Sequence, residues 1–330
     1  MPELDGHLGG VTAKLLGARI WIGLTCEEAQ AESTLVPTSE EDHEPPLAQY
    51  IKAQRALVTM GRAAVRRITQ LSVLQVFVLA FMGGFFTGMG ALVSILLASG
   101  VATPGPQRLL EGFGFSAAFF FVILTEAVLF SEANVMMPAG LLENRGRSLL
   151  PTLRFWVLAF AGNLAGAYVF GVAVHAAQMY GPSDARLLNE VIGLKLQFRG
   201  IGGAEGWFKA VLSGVFANWL VGMAAFFAVM GRSLIGKYIP VLLAVTAFDA
   251  ANFQHAPANM AFFGLINATG HGPGWGTALG WSIAPAAVGN LIGGFVLVVL
   301  PFWFALRPHE RAATARECSR ELQQADLAGA

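Results

Sequence analysis

The sequence predicts an all-α membrane protein in which six transmembrane helices form two inverted three-helix repeats, with helices 2 and 5 interrupted. Composition is the first observation behind this prediction. Of the 330 residues, 55% are hydrophobic and 13% are charged, against about a quarter charged in an average soluble domain. The other two observations are the presence of six long apolar segments and of two short motifs that recur at nearly the same offset.

The six apolar segments set the domain organisation. A helix needs about 20 mostly apolar residues to cross a bilayer. The segments that meet this length are 71–98, 113–142, 153–178, 207–230, 238–268 and 275–305. The flanking residues are polar. We therefore predict a largely disordered N-terminal tail at 1–68, a transmembrane domain at 69–306 that lies in a lipid bilayer, and a C-terminal tail at 307–330.

Basic residues predict the orientation of the spans, because Lys and Arg concentrate in short cytoplasmic loops. The basic stretches are KAQRALVTMGRAAVRR before the first span, ENRGRS after the second, GRSLIGKY after the fourth and RPHERAATARE after the sixth. All lie on one side if the six spans alternate. We therefore expect a multi-pass protein of the plasma membrane, the inner membrane in bacteria, with both termini cytoplasmic. The opposite-side connection, 179–206, carries Arg186, Lys195 and Arg199.

Two recurring motifs predict the inverted repeat. GNLAG at 162–166 and GNLIG at 289–293 lie 127 residues apart, and AN at 133–134 and 258–259 lies 125 residues apart. Three helices are an odd number, so the second half enters the membrane upside down. Such repeats place broken helices near the membrane midplane. Glycines of the first and sixth spans are expected at close helix contacts; they are Gly84, Gly88, Gly90, Gly289, Gly293 and Gly294.

Polar residues inside two of the spans predict the interruptions. The stretch DAANFQHAPANM (249–260) interrupts the fifth span, and SEAN (131–134) interrupts the second. Irregular backbone at membrane depth persists only where it is buried in protein or lines a water-filled path. His255 is the central ionisable residue of the fifth-span break, and intramembrane ionisable residues point to function. Asp249 and Glu126 are either further functional groups or protonated, hydrogen-bonded structural ones.

Other classes of function lack a signal in the sequence. The formal net charge is zero, so nothing attracts nucleic acid. Cys26 and Cys318 lie near opposite ends, and no Cys or His spacing predicts a metal site or another cofactor. No nucleophile–base pair or phosphate loop predicts an enzyme. The acidic run EEDHE (40–44) could bind a partner, although such runs are usually solvated.

Two stretches resemble a known family. GVFANWLVGMA (214–224) and PVLLAVTAFDAANFQHAPANM (240–260) are similar to the fourth and fifth spans of the formate/nitrite transporter family. The resemblance covers about 71–305 and implies an aquaporin-like fold. It also implies a homopentamer with one pore in each protomer. The implied substrates are small monovalent anions or their conjugate acids, such as formate or nitrite.

The resemblance assigns pore residues by position. His255 matches the central histidine of the pore, Asn218 matches the fourth-span asparagine, and Ser131 matches the hydroxyl residue in the second-span break. Two apolar constrictions are implied. The outer one is similar to Phe115 and Phe248, and the inner one is similar to Phe119, Leu129 and Phe130.

The chain departs from the family pattern at three places. Gln254 stands where the family usually has Glu before the histidine, and Glu126 is an acid displaced by two residues. Gly202 stands where the family has an anion-attracting lysine, so Lys195 or Arg199 would have to substitute. Together with Asp249, these charged and polar residues are candidates for tuning the histidine or forming an outer vestibule.

The expected mechanism follows from the cost of moving an anion through an apolar constriction. Burying an unpaired charge is expensive, and such groups tend to become neutral. In the hypothesis, a basic vestibule attracts the anion, His255 protonates it directly or through water, and Asn218 and Ser131 hold the neutral acid. The alternative is an aquaporin-like pore for water or small neutral solutes. Such pores normally carry Asn-Pro-Ala in both breaks, whereas this chain has APAN (256–259) and SEAN.

Overall fold

The computed structural model describes residues 50–144, 146, 148–178 and 180–306, and every regular element in this part of the chain is a helix. Cys26, Cys318, the acidic run 40–44 and the predicted C-terminal tail lie outside the described residues. In chain order the helices are α1 (Ala53–Gln70), α2 (Val73–Ala98), α3 (Pro104–Thr125), α4 (Phe130–Glu143), α5 (Leu149–Ala176), α6 (Pro182–Lys195), α7 (Gln197–Ile201), α8 (Gly203–Met230), α9 (Leu234–Ala250), α10 (Ala256–Ala268) and α11 (Trp275–Leu306).

Five of these helices are long and apolar enough to cross a membrane, namely α2, α3, α5, α8 and α11. The predicted fifth span, 238–268, is instead built from α9 and α10, which have 17 and 13 residues and are each too short alone. The 14-residue α4 likewise follows α3 across a short non-helical stretch. The protein is therefore all-helical, with long apolar helices and shorter ones between them.

Helix α1 corrects part of the predicted disordered tail. Residues 53–68 were expected to be loosely ordered, but they form most of α1. Its buried residues, among them Leu57, Met60 and Ala64, repeat with helical spacing and face α4. Burial of one apolar stripe stabilises a helix of otherwise polar composition. The proposed domain boundary at residue 68 stays a prediction.

The helices that follow the two breaks pack against distant parts of the chain. Helix α2 packs against α3 and α5, and α8 packs against α9 and α11. Helix α4 contacts α8 and α11, whereas α10 contacts α2 and α5. Each short helix is thus held by long helices that are far away in sequence, and both short helices are buried at the centre of the protein.

Glycines permit the closest of these helix crossings, as the sequence predicted. A Cβ atom at Gly84 would overlap the carbonyl oxygen of Asn163, and one at Gly289 would overlap the carbonyl oxygen of Val211. The backbones of α2 and α5, and those of α8 and α11, approach closely because these positions carry no side chain. Asn163 and the GNLIG segment are thereby fixed beside the breaks.

The two non-helical stretches lie at 126–129 and 251–255. The predicted interruption at SEAN, 131–134, is wrong in position, because these residues form the first turns of α4. Helix α3 ends where Glu126 adopts a left-handed conformation with φ 56°. Polar residues after a break satisfy helical geometry as well as loop geometry, so hydropathy alone does not locate the break.

Candidate functional site

The two breaks meet at the centre of the protein, where buried polar side chains gather. Both breaks contain a residue with a left-handed backbone, Glu126 with φ 56° and Asn252 with φ 53°. Each break is followed by a short helix whose first residues are buried. The fully buried polar residues around them include Ser131, Asn218 and Gln254.

Asn163 of α5 holds the first break in place. Its side-chain oxygen accepts a hydrogen bond from the backbone N–H of Phe130, at 2.8 Å. Its side-chain nitrogen donates to the carbonyl oxygens of Ala80, at 2.7 Å, and Val128, at 2.9 Å. One amide therefore satisfies the first N–H of α4 and a carbonyl of the break, which would otherwise be unpaired inside the protein.

Asn290 of α11 holds the second break in the same way. Its oxygen accepts from the backbone N–H of Ala256, the first residue of α10, at 2.8 Å. Its nitrogen donates to the carbonyl oxygens of Gly214, at 2.8 Å, and Gln254, at 3.1 Å. Around both asparagines the donor is the first N–H of the short helix, one acceptor is the carbonyl two residues before it, and the other acceptor is a carbonyl of a long helix.

Asn218 of α8 connects the two breaks. Its side-chain nitrogen donates to the carbonyl oxygen of Asn290, at 2.7 Å, and to that of Ser131, at 3.2 Å. Its side-chain oxygen is buried without a hydrogen-bond partner among the described residues. The hydroxyl of Ser131 is also buried and unpaired there. Both groups can therefore form hydrogen bonds to a solute that enters the centre of the protein.

Gln254 takes part in a separate polar network behind the second break. Its side-chain oxygen accepts from the amide of Asn259, at 2.8 Å, and from the hydroxyl of Ser282, at 3.4 Å. The same Asn259 amide also donates to Ser282 at 2.8 Å. Gln254 is thus engaged through its oxygen, and these bonds fix the residue that precedes His255.

His255 is the residue that immediately precedes α10, and its side chain is only 2% exposed. Neither ring nitrogen has a hydrogen-bond partner among the described residues. Its ring centroid lies 4.8 Å from that of Phe248. A buried imidazole normally finds partners for its nitrogens, so both nitrogens are available to a proton donor or acceptor that enters the site.

An aromatic cluster lies beside His255. The rings of Phe115 and Phe248 pack edge to face with centroids 6.0 Å apart, and their action as a constriction stays a prediction. Phe262, which the sequence did not single out, stacks on Phe115 at 6.0 Å. All three rings are at least 98% buried. We call Phe115, Phe248 and Phe262 the outer aromatic cluster.

The residues predicted for the inner constriction are buried but divide between two groups. Phe119 and Leu129 pack in the same apolar cluster as Phe115. Phe130 packs in a second cluster, with its ring edge to face against Phe160 at 5.5 Å. The structure therefore places all three near the first break, and their action as one constriction stays a prediction.

Lys195 at the end of α6 is the cation that the structure brings to this site. Its side chain is 1% exposed, and its ammonium lies 5.7 Å from the centroid of the Phe262 ring. Burial lowers the pKa of the Lys195 ammonium, and the nearby carboxylates of Asp249 and Glu111 oppose this shift. No carboxylate in the described part of the chain comes within 4.0 Å of it.

The other charged candidates are placed differently. Asp249 is buried, 6% exposed, at the end of α9. Arg199 and Glu126 are exposed, so they do not join the buried polar groups. Glu132, which the sequence noted only as part of a break, forms a 3.8 Å ion pair with Arg67 of α1. No group of three His, Cys, Asp or Glu side chains suited to a metal occurs among the described residues.

Three site residues escaped the sequence reasoning, although two of them left a signal. Asn163 and Asn290 are the asparagines of the GNLAG and GNLIG motifs. The repeat was interpreted through its glycines, whereas the asparagine inside an otherwise apolar helix was the signal for a site residue. Phe262 is one of 25 phenylalanines, and only the fold shows that it joins Phe115 and Phe248.

Comparison with known proteins supplies a family. The sequence profile described as formate/nitrite transporter matches residues 54–304. The chain is 27% identical over 245 residues to a probable formate transporter of Methanothermobacter thermautotrophicus, covering 70% of this chain and 88% of that protein. It is 27% identical to the formate channel FocA of Escherichia coli (strain K12), covering 70% of this chain and 86% of that protein.

Solved structures share the fold. A pentameric formate channel with formate bound aligns with a TM-score of 0.58 at 21% identity, covering 70% of this chain and 96% of that one. An ion channel of the FNT family aligns with a TM-score of 0.63 at 20% identity, covering 77% of this chain and 98% of that one. Helices on both sides of the two breaks therefore follow an arrangement that known channels also use.

Proposed function

Because this chain belongs to the formate/nitrite transporter family, we propose that it moves small monovalent anions, or their conjugate acids, through a pore in each protomer. The family consists of membrane channels and transporters, not enzymes. The relative from Methanothermobacter thermautotrophicus is a probable formate transporter, and the one from Escherichia coli is a formate channel. Formate is therefore the first candidate substrate, followed by nitrite.

The proposed architecture is a homopentamer in which each protomer has six spans in two inverted halves. Two offsets support the inverted repeat. Glu126 and Asn252 are 126 residues apart and share a left-handed backbone. Asn163 and Asn290 are 127 residues apart and make equivalent hydrogen bonds. A pentameric formate channel shares the fold. Both termini are assigned to the cytoplasmic side of the bacterial inner membrane, since the basic loops all lie on one side.

The observation that carries the proposed mechanism is the buried, unpaired imidazole of His255. It lies against Phe248 of the outer aromatic cluster. The unpaired oxygens of Asn218 and Ser131 are buried near the two breaks that Asn218 connects. Passage of a weak acid requires a group that exchanges protons, neutral groups that form hydrogen bonds and an apolar barrier to charge, and these residues supply all three.

The proposed passage has three steps. Lys195 attracts the anion to the outer aromatic cluster, because an ammonium of lowered hydration interacts strongly with a carboxylate. The protonated imidazole of His255 then transfers its proton to the anion, directly or through water, and regains a proton from water on the entry side, so that no net charge crosses the apolar residues. Asn218 and Ser131 bond the neutral acid, which passes Leu129 and Phe130 and releases its proton on the other side.

The test is flux through purified protein reconstituted in liposomes. Formate, nitrite, lactate and glycerol are supplied separately, while swelling and internal pH are recorded. We expect formate or nitrite to enter and acidify the lumen, and we expect His255→Ala to lower this flux at least tenfold. His271→Ala is the matched control, because His271 is an exposed loop histidine and its loss should leave flux unchanged.

Two results would contradict the proposal. Undiminished, pH-dependent formate flux in a correctly assembled His255→Ala protein would remove the histidine from the mechanism. Flux of glycerol or water alone, indifferent to His255, would instead support the aquaporin-like pore for neutral solutes. The loss of the family's glutamate at Gln254 and of its lysine at Gly202 would then explain the change in substrate.

A further inference from the structure

A groove of about 220 Å³ lies where the end of α1 meets the beginnings of α2 and α5. Arg67 and Arg154 line it, and the rest of its wall is formed mainly by apolar side chains such as Val76, Phe155 and Leu158. This volume is below the roughly 300–1,000 Å³ of sites for drug-sized molecules. It is suited to a small charged group followed by a narrow apolar chain.

The groove lies at a membrane boundary. Helices α2 and α5 are both apolar enough to span the bilayer, and both begin beside the groove, at Val73 and Leu149. Their first turns therefore lie where lipid headgroups meet the acyl chains. The amino-terminal end of a long helix such as α5 also carries partial positive charge, which adds to that of the two arginines.

Positive charge in the groove exceeds the negative charge available to balance it. Arg67 shares its charge with Glu132 in an ion pair of 3.8 Å, which is long for a strong bond. Arg154 is exposed and forms no ion pair with any residue that the structure describes. An unpaired guanidinium beside an apolar wall is matched by an anion that carries its own apolar chain.

We propose that this groove binds one anionic phospholipid, with the phosphate at Arg67 and Arg154 and the start of an acyl chain along Val76, Phe155 and Leu158. Basic pockets between membrane helices recognise lipid headgroups of this kind, and anionic lipids are enriched in the cytoplasmic leaflet. The site is separate from the residues of the proposed pore, and its occupation does not depend on which substrate is transported.

Lipid binding to the purified full-length protein tests this site. Delipidated protein in mild detergent is titrated with phosphatidylglycerol, phosphatidylcholine of the same chains, or soluble glycerol phosphate, with native mass spectrometry counting bound lipids. We expect phosphatidylglycerol to bind most tightly. Arg154→Gln should weaken it about fivefold, as loss of one basic residue near the surface predicts. Arg62→Gln, an exposed arginine of α1 outside the groove, should change binding less than twofold.

Three outcomes would overturn the proposal. Equal affinity for phosphatidylglycerol and phosphatidylcholine, or equal weakening by Arg62→Gln, would show only general attraction to the surface. Glycerol phosphate binding as tightly as phosphatidylglycerol would show a site for free phosphate esters without a role for the apolar wall. An altered oligomeric mass in Arg154→Gln, with unchanged lipid binding, would show that another copy of the chain covers the groove.

Discussion

The two helix breaks have the same backbone support but different side chains. Asn163 holds the first break and Asn290 the second, each through three hydrogen bonds to equivalent atoms. The first break continues from Glu126 with Ala, Val and Leu, whereas the second contains Asn252, Gln254 and His255. The comparison shows that the hydrogen-bonded support is repeated, whereas only the second break contains a buried ionisable side chain, His255.

The largest expected effects come from removing the shared support. Asn163→Ala and Asn290→Ala each lose three hydrogen bonds and leave a buried N–H and one carbonyl of the break unpaired, since the third acceptor lies inside a long helix. We expect each change to lower the free energy of unfolding by about 3 kcal/mol, measured by denaturant titration in detergent micelles. Asn189→Ala, an exposed asparagine with a single bond within its own helix, should cost less than about 0.5 kcal/mol.

The equivalence of the two supports is itself open to test. If one asparagine variant unfolds at the wild-type denaturant concentration while the other is strongly destabilised, the two breaks are not held alike. Formate flux, in contrast, should differ between the two asparagine variants. Because Asn290 bonds the carbonyl of Gln254, its loss displaces the segment before His255, and transport should fall further than in Asn163→Ala.

Gln254 distinguishes the second break from the first. Gln254→Leu removes the acceptor of the bonds from Asn259 and Ser282, so we expect about 2 kcal/mol of destabilisation. Gln254→Glu keeps an oxygen that can accept both bonds and should be nearly as stable as the wild type. Its carboxylate favours a protonated imidazole at His255, so formate flux should persist to higher pH by about one unit.

Two results would remove this role from Gln254. Equal stability of the Leu and Glu variants would show that the network does not support the break. An unchanged pH profile for Gln254→Glu, measured as formate uptake across pH 5 to 8, would show that residue 254 does not act on the histidine.

Lys195 gives the second break an outer cation that the first break lacks among the described residues. Burial lowers the pKa of Lys195. Its positive charge is therefore present at low pH and is lost as pH rises through that lowered pKa, at a lower pH than for an ordinary lysine. We expect Lys195→Met to raise the apparent KM for formate about fivefold at acidic pH, as for loss of one nearby charge.

The sign of this dependence is checked with Lys195→Arg, since arginine keeps its charge throughout the accessible pH range. In the wild type the KM should increase with pH, whereas in Lys195→Arg this increase should be reduced. A KM that is the same in all three proteins would contradict an entry role for Lys195. Arg199→Met serves as the control, because Arg199 is exposed on α7.

The smallest expected effect concerns the left-handed residues that begin the breaks. Asparagine tolerates this conformation better than glutamate, and Glu126 has an exposed side chain. Glu126→Asn should therefore stabilise the protein by about 0.5–1 kcal/mol, and Asn252→Glu should destabilise it by a similar amount. A thermal unfolding series measures both, and a change of the same sign in both would show that backbone strain is not the cause.

Much of the fold was predictable from the sequence because long apolar segments and glycine contacts are local signals. Long apolar helices and the family follow from composition and from the fifth-span motif; six spans were predicted, and five single helices of membrane length occur among the described residues. The position of the first break was not predictable from SEAN. Serine, glutamate and asparagine fit the first turn of a half-helix as well as a loop, and only the hydrogen bond that the Phe130 N–H donates to Asn163 decides between them.

The site was predictable where a single residue carries the chemistry and not where several residues must meet. His255 stands out as a histidine in an apolar span, and the structure buries it beside Phe248. The choice between Lys195 and Arg199 depends on the packing of two successive helices, because Lys195 is buried at the end of α6 whereas Arg199 is exposed on α7. Phe262 joins the cluster through packing alone. Helix α1 was missed because its polar composition concealed an apolar stripe.

The amide of Asn218 bonds the carbonyls of Asn290 and Ser131, and this small feature limits how the protein can move. The bond to Ser131 joins the two halves, so sliding them apart would leave one N–H of the Asn218 amide unpaired in a dry interior. We therefore expect opening and closing to rely on rotation of rings such as Phe115 and Phe248. Permeation through such a pore should be limited by how often a proton is exchanged rather than by domain motion.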